Sequence, residues 1–181
     1  RDASAAMLLD ELTVAGTDSG GAAGTAADLT TFAALGVHGA CVITAVTAQD
    51  TTGVRAVHPV PTAMVEAQLS AVVDDLPVAA VKTGMLGSAA TVRSLARRHA
   101  RGAGRPQLVV DPVLVATSGS VLGDEEVRDA YVTDLLPVAD VVTPNLDEAR
   151  ALAGAAGLDA RLDPTALAVA LTGLCEAVVL T

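Results

Sequence analysis

Residues 12–28, LTVAGTDSGGAAGTAAD, decide the fold of this chain. A short run typical of a β-strand leads into Gly16, a polar turn with three more glycines follows, and an alanine- and leucine-rich stretch comes next. Glycines at the end of a strand let a ligand approach the backbone closely, and the N-terminus of a following helix directs N–H groups at it. Taken alone, however, the turn is more typical of a tight strand-to-helix connection than of a binding site.

The same order of strand, polar residues and helix recurs along the chain. Strands are predicted at 12–15, 41–48, 78–81, 108–110, 141–142 and 177–180. Helices are predicted at 22–35, from 61, from 88, at 124–136, around 148 and from 164, and residues 51–60 are predicted to form a polar extended link. This alternation predicts an α/β fold with a mainly parallel central sheet covered on both faces, within a single domain over residues 1–181.

The charge of the chain restricts its partners. It has 181 residues, a net charge of −10, one Phe and one Tyr. An acidic chain with so few aromatic rings is a poor candidate for binding nucleic acid or an anionic membrane. Because cations are scarce, a phosphate ligand would need Mg²⁺, helix N-termini and backbone amides.

Two further features concern the cellular setting. The two cysteines, Cys41 and Cys175, lie far apart and form neither a disulfide framework nor a zinc pattern, which favours a reduced, cytoplasmic environment. Residues 29–49 carry no formal charge, but their glycines, threonines and His38 argue against a transmembrane helix. We therefore expect no membrane span.

Five residues come after predicted strands: Gly16, Gln49, Lys82, Asp111 and Asn145. The carboxyl ends of parallel strands meet at one edge of the sheet, where ligands bind in open α/β folds, so we expect these residues to lie together. Each has a simpler alternative. Lys82 could pair with a carboxylate or lie near a phosphate, and Asp111 could start a turn or face a metal.

Asn145 and Glu148 have two interpretations. An Asn at the N-cap with Glu three residues later is typical of a capping box. The same two oxygen-bearing side chains could instead hold hydrated Mg²⁺ near phosphates. Asp28 and Gln49 are similarly open, because each could be a surface residue or could hydrogen-bond the edge of a heteroaromatic ring.

Several common enzyme motifs are absent from the sequence. There is no P-loop motif, and the glycine spacing after residue 16 does not match a nicotinamide-binding G-x-G-x-x-G, which disfavours an oxidoreductase. There is also no G-x-S-x-G and no H-E-x-x-H, and the three histidines have no metal-ligand spacing.

Four segments together resemble the hydroxymethylpyrimidine/phosphomethylpyrimidine kinases of thiamine biosynthesis. They are AGTDSGGAAGTAADLTTFAALGVHGACVITAVTAQDTTGV, VKTGMLGS, VVDPVLVATSG and VVTPNLDEA, in the order and spacing of that family. The resemblance implies a ribokinase-like three-layer α/β/α fold and, as a rule, a homodimer. It implies ATP- and Mg²⁺-dependent phosphorylation of 4-amino-5-hydroxymethyl-2-methylpyrimidine and then of its monophosphate.

The resemblance also implies roles for particular residues. Asp28 and Gln49 correspond to the residues that hydrogen-bond the aminopyrimidine, Gly16 and Thr47 line the same pocket, and Met85 packs on the ring. The second half of the site is implied to hold Mg²⁺ and the nucleotide phosphates. It consists of Asp111, Asn145 and Glu148.

The catalytic base is not identified in this chain. In the family it is a cysteine in a G-T-G-C segment after the last strand, so the resemblance implies a base beyond Thr181 and a domain incomplete at its C-terminus. Cys175 precedes the last strand and is not its counterpart. Pyridoxal kinase, which shares the fold, and a pyrimidine-binding module without kinase activity are the alternative interpretations.

Overall fold

A six-stranded sheet, parallel throughout, runs through the computed structural model, which describes residues 10–100, 104–114 and 124–181. Its strand order is β2-β1-β5-β6-β7-β8, and a separate sheet pairs β3 with β4. The strands are β1 (Asp10–Ala15), β2 (His38–Ile43), β3 (Ala45–Asp50), β4 (Gly53–Pro59), β5 (Val78–Thr83), β6 (Gln107–Val110), β7 (Val141–Val142) and β8 (Ala177–Val178). The helices are α1 (Gly24–Ala34), α2 (Thr62–Val73), α3 (Ala89–His99), α4 (Glu125–Ala130), α5 (Leu146–Ala155) and α6 (Pro164–Leu171).

Helices flank both faces of the main sheet, as the alternation of strands and helices predicts. On one face α1 packs so closely that a Cβ at Gly39 would come within 2.8 Å of Leu29 and Phe32. The other face carries the main core: the strand residues Leu12 and Val14 are fully buried there. The strands therefore present opposite sides to α1 and to the larger helical layer, and their carboxyl ends stay open between the two.

The prediction of one continuous strand over 41–48 is wrong. The chain leaves the main sheet at Thr44, which separates β2 from β3. The Thr44 hydroxyl donates to the carbonyl oxygen of Met85 at 2.6 Å, and its carbonyl oxygen accepts from the N–H of Val60 at 2.9 Å. These contacts with distant parts of the chain redirect a run of residues that is uniformly suited to a strand.

The extended link predicted over 51–60 is also wrong, because Gly53–Pro59 forms β4. It pairs antiparallel with β3, with a register shift between Ala48 and Gln49. We call this pair of strands the flap. Its turn is held by Asp50, whose carboxylate accepts from the Thr52 N–H at 2.8 Å. The flap projects beside the carboxyl ends of the main strands and adds a wall to the cavity there.

The helix predicted over 124–136 begins as expected but changes geometry. Asp124 caps α4 by accepting from the N–H of Val127 at 2.9 Å. After Ala130 the chain forms a π-helical turn over Tyr131–Leu135 and a 3₁₀ turn over Leu136–Val138. The Tyr131 ring is fully buried, and its hydroxyl finds no hydrogen-bond partner in the described part of the chain.

The remaining predicted elements agree closely with the structure. Helix α1 starts two residues later than expected and ends before Gly36, whose φ of +72° suits only glycine well. The last strand is shorter than predicted, Ala177–Val178. The sequence also predicts a loop over residues 117–119, which lie outside the described residues. No helix among the described residues has both the length and the apolar composition needed to cross a membrane.

Candidate active site

A cavity of about 450 Å³ lies at the carboxyl ends of the main strands, between α1, the flap and the N-terminus of α5. The structure brings all of the sequence-predicted site residues to its wall. They are Gly16, Asp28, Thr47, Gln49, Met85, Asp111, Asn145 and Glu148. Lys82 lines the same cavity, together with Thr17, Asp18, Gly84 and Thr143.

Two glycines allow the first turn to fit against its neighbours. A Cβ at Gly16 would lie 2.5 Å from the methyl carbon of Met85, so the Met85 side chain reaches over the turn and its flexible end would have to move to make room for a larger residue. At Gly24 the φ angle is +57°, and a Cβ would collide with the carbonyl oxygen of Gly16. That carbonyl oxygen instead accepts from the Thr25 N–H at 3.0 Å. The turn is thus fixed against the start of α1.

Asp18 holds this glycine turn in place, a role that sequence reasoning missed. One carboxylate oxygen accepts from the N–H of Gly20 at 2.8 Å. The other accepts from the N–H groups of Ala22 at 3.0 Å and Ala23 at 2.9 Å. An Asp two residues before a Gly-Gly pair is a recognised turn signal and could have indicated this role.

The flap is joined to the same turn by hydrogen bonds. The Thr47 hydroxyl donates to the carbonyl oxygen of Thr17 at 2.7 Å, and the Thr47 N–H donates to the Thr17 hydroxyl at 3.0 Å. The Ser19 hydroxyl accepts from the Gln49 N–H at 2.8 Å and donates to the Gln49 carbonyl oxygen at 2.6 Å. The Gln49 side-chain amide makes no hydrogen bond to any described residue, so it can pair with a ligand.

A lysine joins the two halves of the cavity. The Lys82 ammonium lies 2.9 Å from Asp28 Oδ1 and 3.4 Å from Asp111 Oδ2. The Thr13 hydroxyl donates to the other oxygen of Asp28 at 2.6 Å. Burial raises the pKa of the Asp111 carboxyl, and the nearby Lys82 charge only partly offsets that rise. The attraction of Lys82 therefore does not fully offset the cost of burying the negative charge of Asp111.

The capping box predicted for α5 is present. Asn145 Oδ1 accepts from the Glu148 N–H at 2.9 Å, and Glu148 Oε2 accepts from the Asn145 N–H at 3.0 Å. Both residues also line the cavity. Burial raises the pKa of the Glu148 carboxyl, which is 6% exposed. The backbone N–H groups of Asn145 and Leu114 both hydrogen-bond this carboxylate and partly offset the effect of burial on its pKa.

The donor set of this half of the cavity fits a hydrated Mg²⁺ ion. Asp111, Asn145 and Glu148 each carry a side-chain oxygen acceptor of the kind that Mg²⁺ prefers, and the N-terminus of α5 favours an anion beside it. Among the described residues no three His, Cys, Asp or Glu side chains converge closely enough to hold a metal directly. Contact through the water ligands of the ion suits this spacing, because Mg²⁺ keeps several waters.

Cys175 lies away from this site, as its position before the last strand indicates. Its sulfur lies 3.6 Å from the Leu171 carbonyl oxygen and 3.5 Å from that of Ala177, outside the cavity wall. Burial raises the pKa of its thiol, which makes it a weak nucleophile.

Comparison with known proteins assigns the fold and the family. The family model of phosphomethylpyrimidine kinase matches residues 18–181. The hydroxymethylpyrimidine/phosphomethylpyrimidine kinase of Rhizobium meliloti (strain 1021) is 50% identical over 172 residues, which cover 92% of this chain and 63% of the relative. The chain belongs to the phosphomethylpyrimidine kinase family.

Solved structures agree with this assignment. The phosphomethylpyrimidine kinase of Clostridium difficile 630 superimposes with a TM-score of 0.83 at 34% identity, covering 95% of this chain and 74% of that one. An ADP complex of Bacillus subtilis pyridoxal kinase gives a TM-score of 0.82 at 33% identity, covering 96% of this chain and 66% of that one. These matches confirm the ribokinase-like fold. The chain spans less than two thirds of the length of the Rhizobium relative.

Proposed function

We propose that this chain carries the substrate and metal half-sites of an ATP-dependent hydroxymethylpyrimidine/phosphomethylpyrimidine kinase. The observation that carries the proposal is the convergence of all eight predicted residues on one cavity. The reaction would transfer the γ-phosphoryl group of ATP to the hydroxymethyl oxygen of 4-amino-5-hydroxymethyl-2-methylpyrimidine, and a second transfer would convert the monophosphate to the diphosphate.

The pyrimidine would bind beside the glycine turn and the flap. The free amide of Gln49 can both donate to and accept from the edge of an aminopyrimidine. Asp28 has an unused lone pair on each oxygen, because Thr13 and Lys82 occupy one each. Met85 reaches over Gly16 and offers an apolar surface to the ring. Thr47 closes the wall between them.

The phosphates would bind near Asp111 and the N-terminus of α5. Asp111, Asn145 and Glu148 would hold Mg²⁺ through its water ligands, and bound Mg²⁺ would supply the positive charge that this acidic chain lacks. The N-terminus of α5 borders the same space, and the partial positive charge of the helix end favours an anion there. These residues would align the phosphate chain with the hydroxymethyl group.

Pyridoxal kinase is the second candidate, because a pyridoxal kinase superimposes almost as well as the pyrimidine kinase does. A pyrimidine-binding module without phosphoryl transfer is the third. Gln49 distinguishes the first two, since its amide complements an aminopyrimidine edge better than the phenolic edge of pyridoxal.

Calorimetric titration with hydroxymethylpyrimidine and with pyridoxal tests the substrate. We expect the pyrimidine to bind more tightly, and Gln49→Ala to weaken it about tenfold, because a buried hydrogen bond is lost. Gln107→Ala, an exposed glutamine at the amino end of β6, is the matched control and should change nothing. Equal affinities for the pyrimidine and for pyridoxal, unchanged by Gln49→Ala, would contradict the proposal.

An assay of phosphate transfer tests the reaction. Incubation with ATP, Mg²⁺ and the pyrimidine should give the monophosphate and then the diphosphate, detected by mass spectrometry. Pyrimidine binding without either product would favour the binding module.

We further propose a cytoplasmic homodimer. The free thiols Cys41 and Cys175 support a reducing environment. The flap exposes Val46 and Val57, which are 50% and 40% accessible and offer an apolar surface to a second copy. Sedimentation equilibrium would test the dimer, and a monomer at all concentrations would contradict it.

A further inference from the structure

Lys82 is the single lysine of the chain and the single cationic side chain among the described residues that line the cavity. It extends from β5 between carboxylates from two different elements, Asp28 on α1 and Asp111 after β6. The lysine, Asp28 and Asp111 side chains are 28%, 14% and 32% exposed, so water screens these pairs incompletely. The three groups form a continuous charged link across the floor of the cavity.

The cation is shared unequally. Its contact with Asp28 is a hydrogen bond at 2.9 Å, whereas Asp111 lies at 3.4 Å. Two negative charges therefore depend on one positive charge, and the closer one receives most of the compensation. If another cation neutralises Asp111, Lys82 is left to pair with Asp28 alone.

We propose that Lys82 is a positioning residue that couples the pyrimidine half of the cavity to the phosphate half. This inference rests on the proposed function, because it assigns Asp28 to the pyrimidine and Asp111 to the metal side. When a metal–nucleotide complex neutralises Asp111, Lys82 pairs fully with Asp28. A carboxylate that is already paired and fixed costs less to desolvate when the pyrimidine covers it.

The coupling has a definite sign. Binding of the metal–nucleotide complex should raise the affinity for the pyrimidine, and by thermodynamic reciprocity the pyrimidine should raise the affinity for the complex by the same factor. A lysine that only stabilised the fold would leave the two affinities independent of each other.

The experiment measures pyrimidine affinity by calorimetry, with and without saturating Mg²⁺ and AMP-PCP. This analogue of ATP has a methylene group in place of the β–γ bridging oxygen, so no phosphoryl transfer occurs. In the wild-type chain we expect the complex to tighten pyrimidine binding about 5- to 10-fold. Lys82→Met should reduce that factor to about one, since no shared cation remains.

Two further variants separate coupling from folding. Lys82→Arg keeps the charge and should melt close to wild type while retaining part of the coupling. Thr13→Val removes the other hydrogen bond to Asp28 without contacting Asp111. It should weaken pyrimidine binding but leave the coupling factor unchanged, which makes it the matched control.

The outcomes distinguish the two proposals. Pyrimidine binding with a coupling factor of one in the wild-type chain would overturn the role of Lys82 and leave the proposed function standing. A full factor retained in both Lys82 variants would overturn that role as well. No pyrimidine binding in any form of the chain would overturn the proposed function and, with it, this inference.

Discussion

Asp111 lies at the carboxyl ends of the strands of the main sheet and Asp140 at their amino ends. The two carboxylates have opposite environments. Asp140 precedes β7 and accepts two hydrogen bonds from Arg105, at 2.7 Å and 2.9 Å, and a third from the Leu108 N–H at 2.6 Å. Hydrogen bonding by Arg105 lowers the pKa of the Asp140 carboxyl. Asp111 follows β6 and has a shared lysine at 3.4 Å, and burial raises its pKa.

The difference separates a structural charge from a charge available to a ligand. At the amino-terminal edge each acceptor of Asp140 is used within the protein, so the carboxylate stabilises the fold. At the carboxyl-terminal edge Asp111 is held near its partner but not satisfied by it. An under-compensated carboxylate beside a cavity is typical of a functional site, where stability is given up for binding.

The largest expected effect is the loss of nucleotide binding in Asp111→Asn. Removing this charge should weaken binding of Mg²⁺ with AMP-PCP about 100-fold, because the metal loses an acidic partner in a partly buried site. The melting temperature should stay the same or rise, since ionised Asp111 is costly to bury. Calorimetry and a circular-dichroism melt check both parts.

Glu148→Gln serves as the comparison variant for Asp111→Asn. It keeps most of the capping geometry and removes a charge, so it should weaken nucleotide binding less. Unchanged nucleotide binding in Asp111→Asn would show that Asp111, like Asp140, has only a structural role.

The next effect is a loss of stability in Asp140→Asn. Replacing the charged acceptor should lower the free energy of unfolding by about 2–3 kcal/mol, because hydrogen bonds to a charged group are lost and Arg105 keeps its charge without a partner. Under conditions where the variant is fully folded, its affinities for nucleotide and for pyrimidine should not change. Urea denaturation measures the first and calorimetry the second; a variant as stable as wild type would remove the contrast between the edges.

The smallest effect is on the pH dependence of stability. Burial lowers the pKa of His99, which packs against Arg105 near Asp140. Its folded-state pKa is below the unfolded value, so neutral His99 favours the fold and stability falls as the pH drops below about 6.5. Asp140, whose pKa is also lowered, keeps its stabilising contribution until the pH falls below the ordinary range of an Asp.

Melting temperatures from pH 8 to pH 5 would test this, with His99→Gln as the variant. Gln can accept from Arg105 but does not titrate, so its melting temperature should fall less over that range. Parallel curves for the two proteins would mean that His99 does not contribute to the acid sensitivity.

The sequence predicted the location of the site better than its connections. Residues that follow strands, such as Asp111 and Asn145, were predictable because parallel strands direct their carboxyl ends to one edge. The interruption at Thr44 was not, because its cause is a hydrogen bond to Met85, a residue distant in sequence. The flap was missed for the same reason. Because β3 was not predicted as a separate strand, β4 had no predicted partner, and its residues were interpreted as a polar link.

The sequence left the partners of Lys82 undecided for a related reason. Its position near the carboxyl end of β5 placed it at the correct edge, but its pairing with Asp28 depends on how α1 packs on the sheet, and its pairing with Asp111 on how β6 lies beside β5. The capping box at Asn145 and Glu148 was predictable because it is local. Short-range chemistry could be read from the residues, whereas pairings across layers required the fold.

The buried ring of Tyr131 gives this protein an internal spectroscopic probe. The chain has one tyrosine and no tryptophan, so its near-ultraviolet emission comes almost entirely from this ring. Burial, and then the charges of Asp111 and Glu148, raise the pKa of the Tyr131 hydroxyl. Its emission and near-ultraviolet dichroism should therefore respond, with no label attached, to any ligand that changes the charge at these two carboxylates.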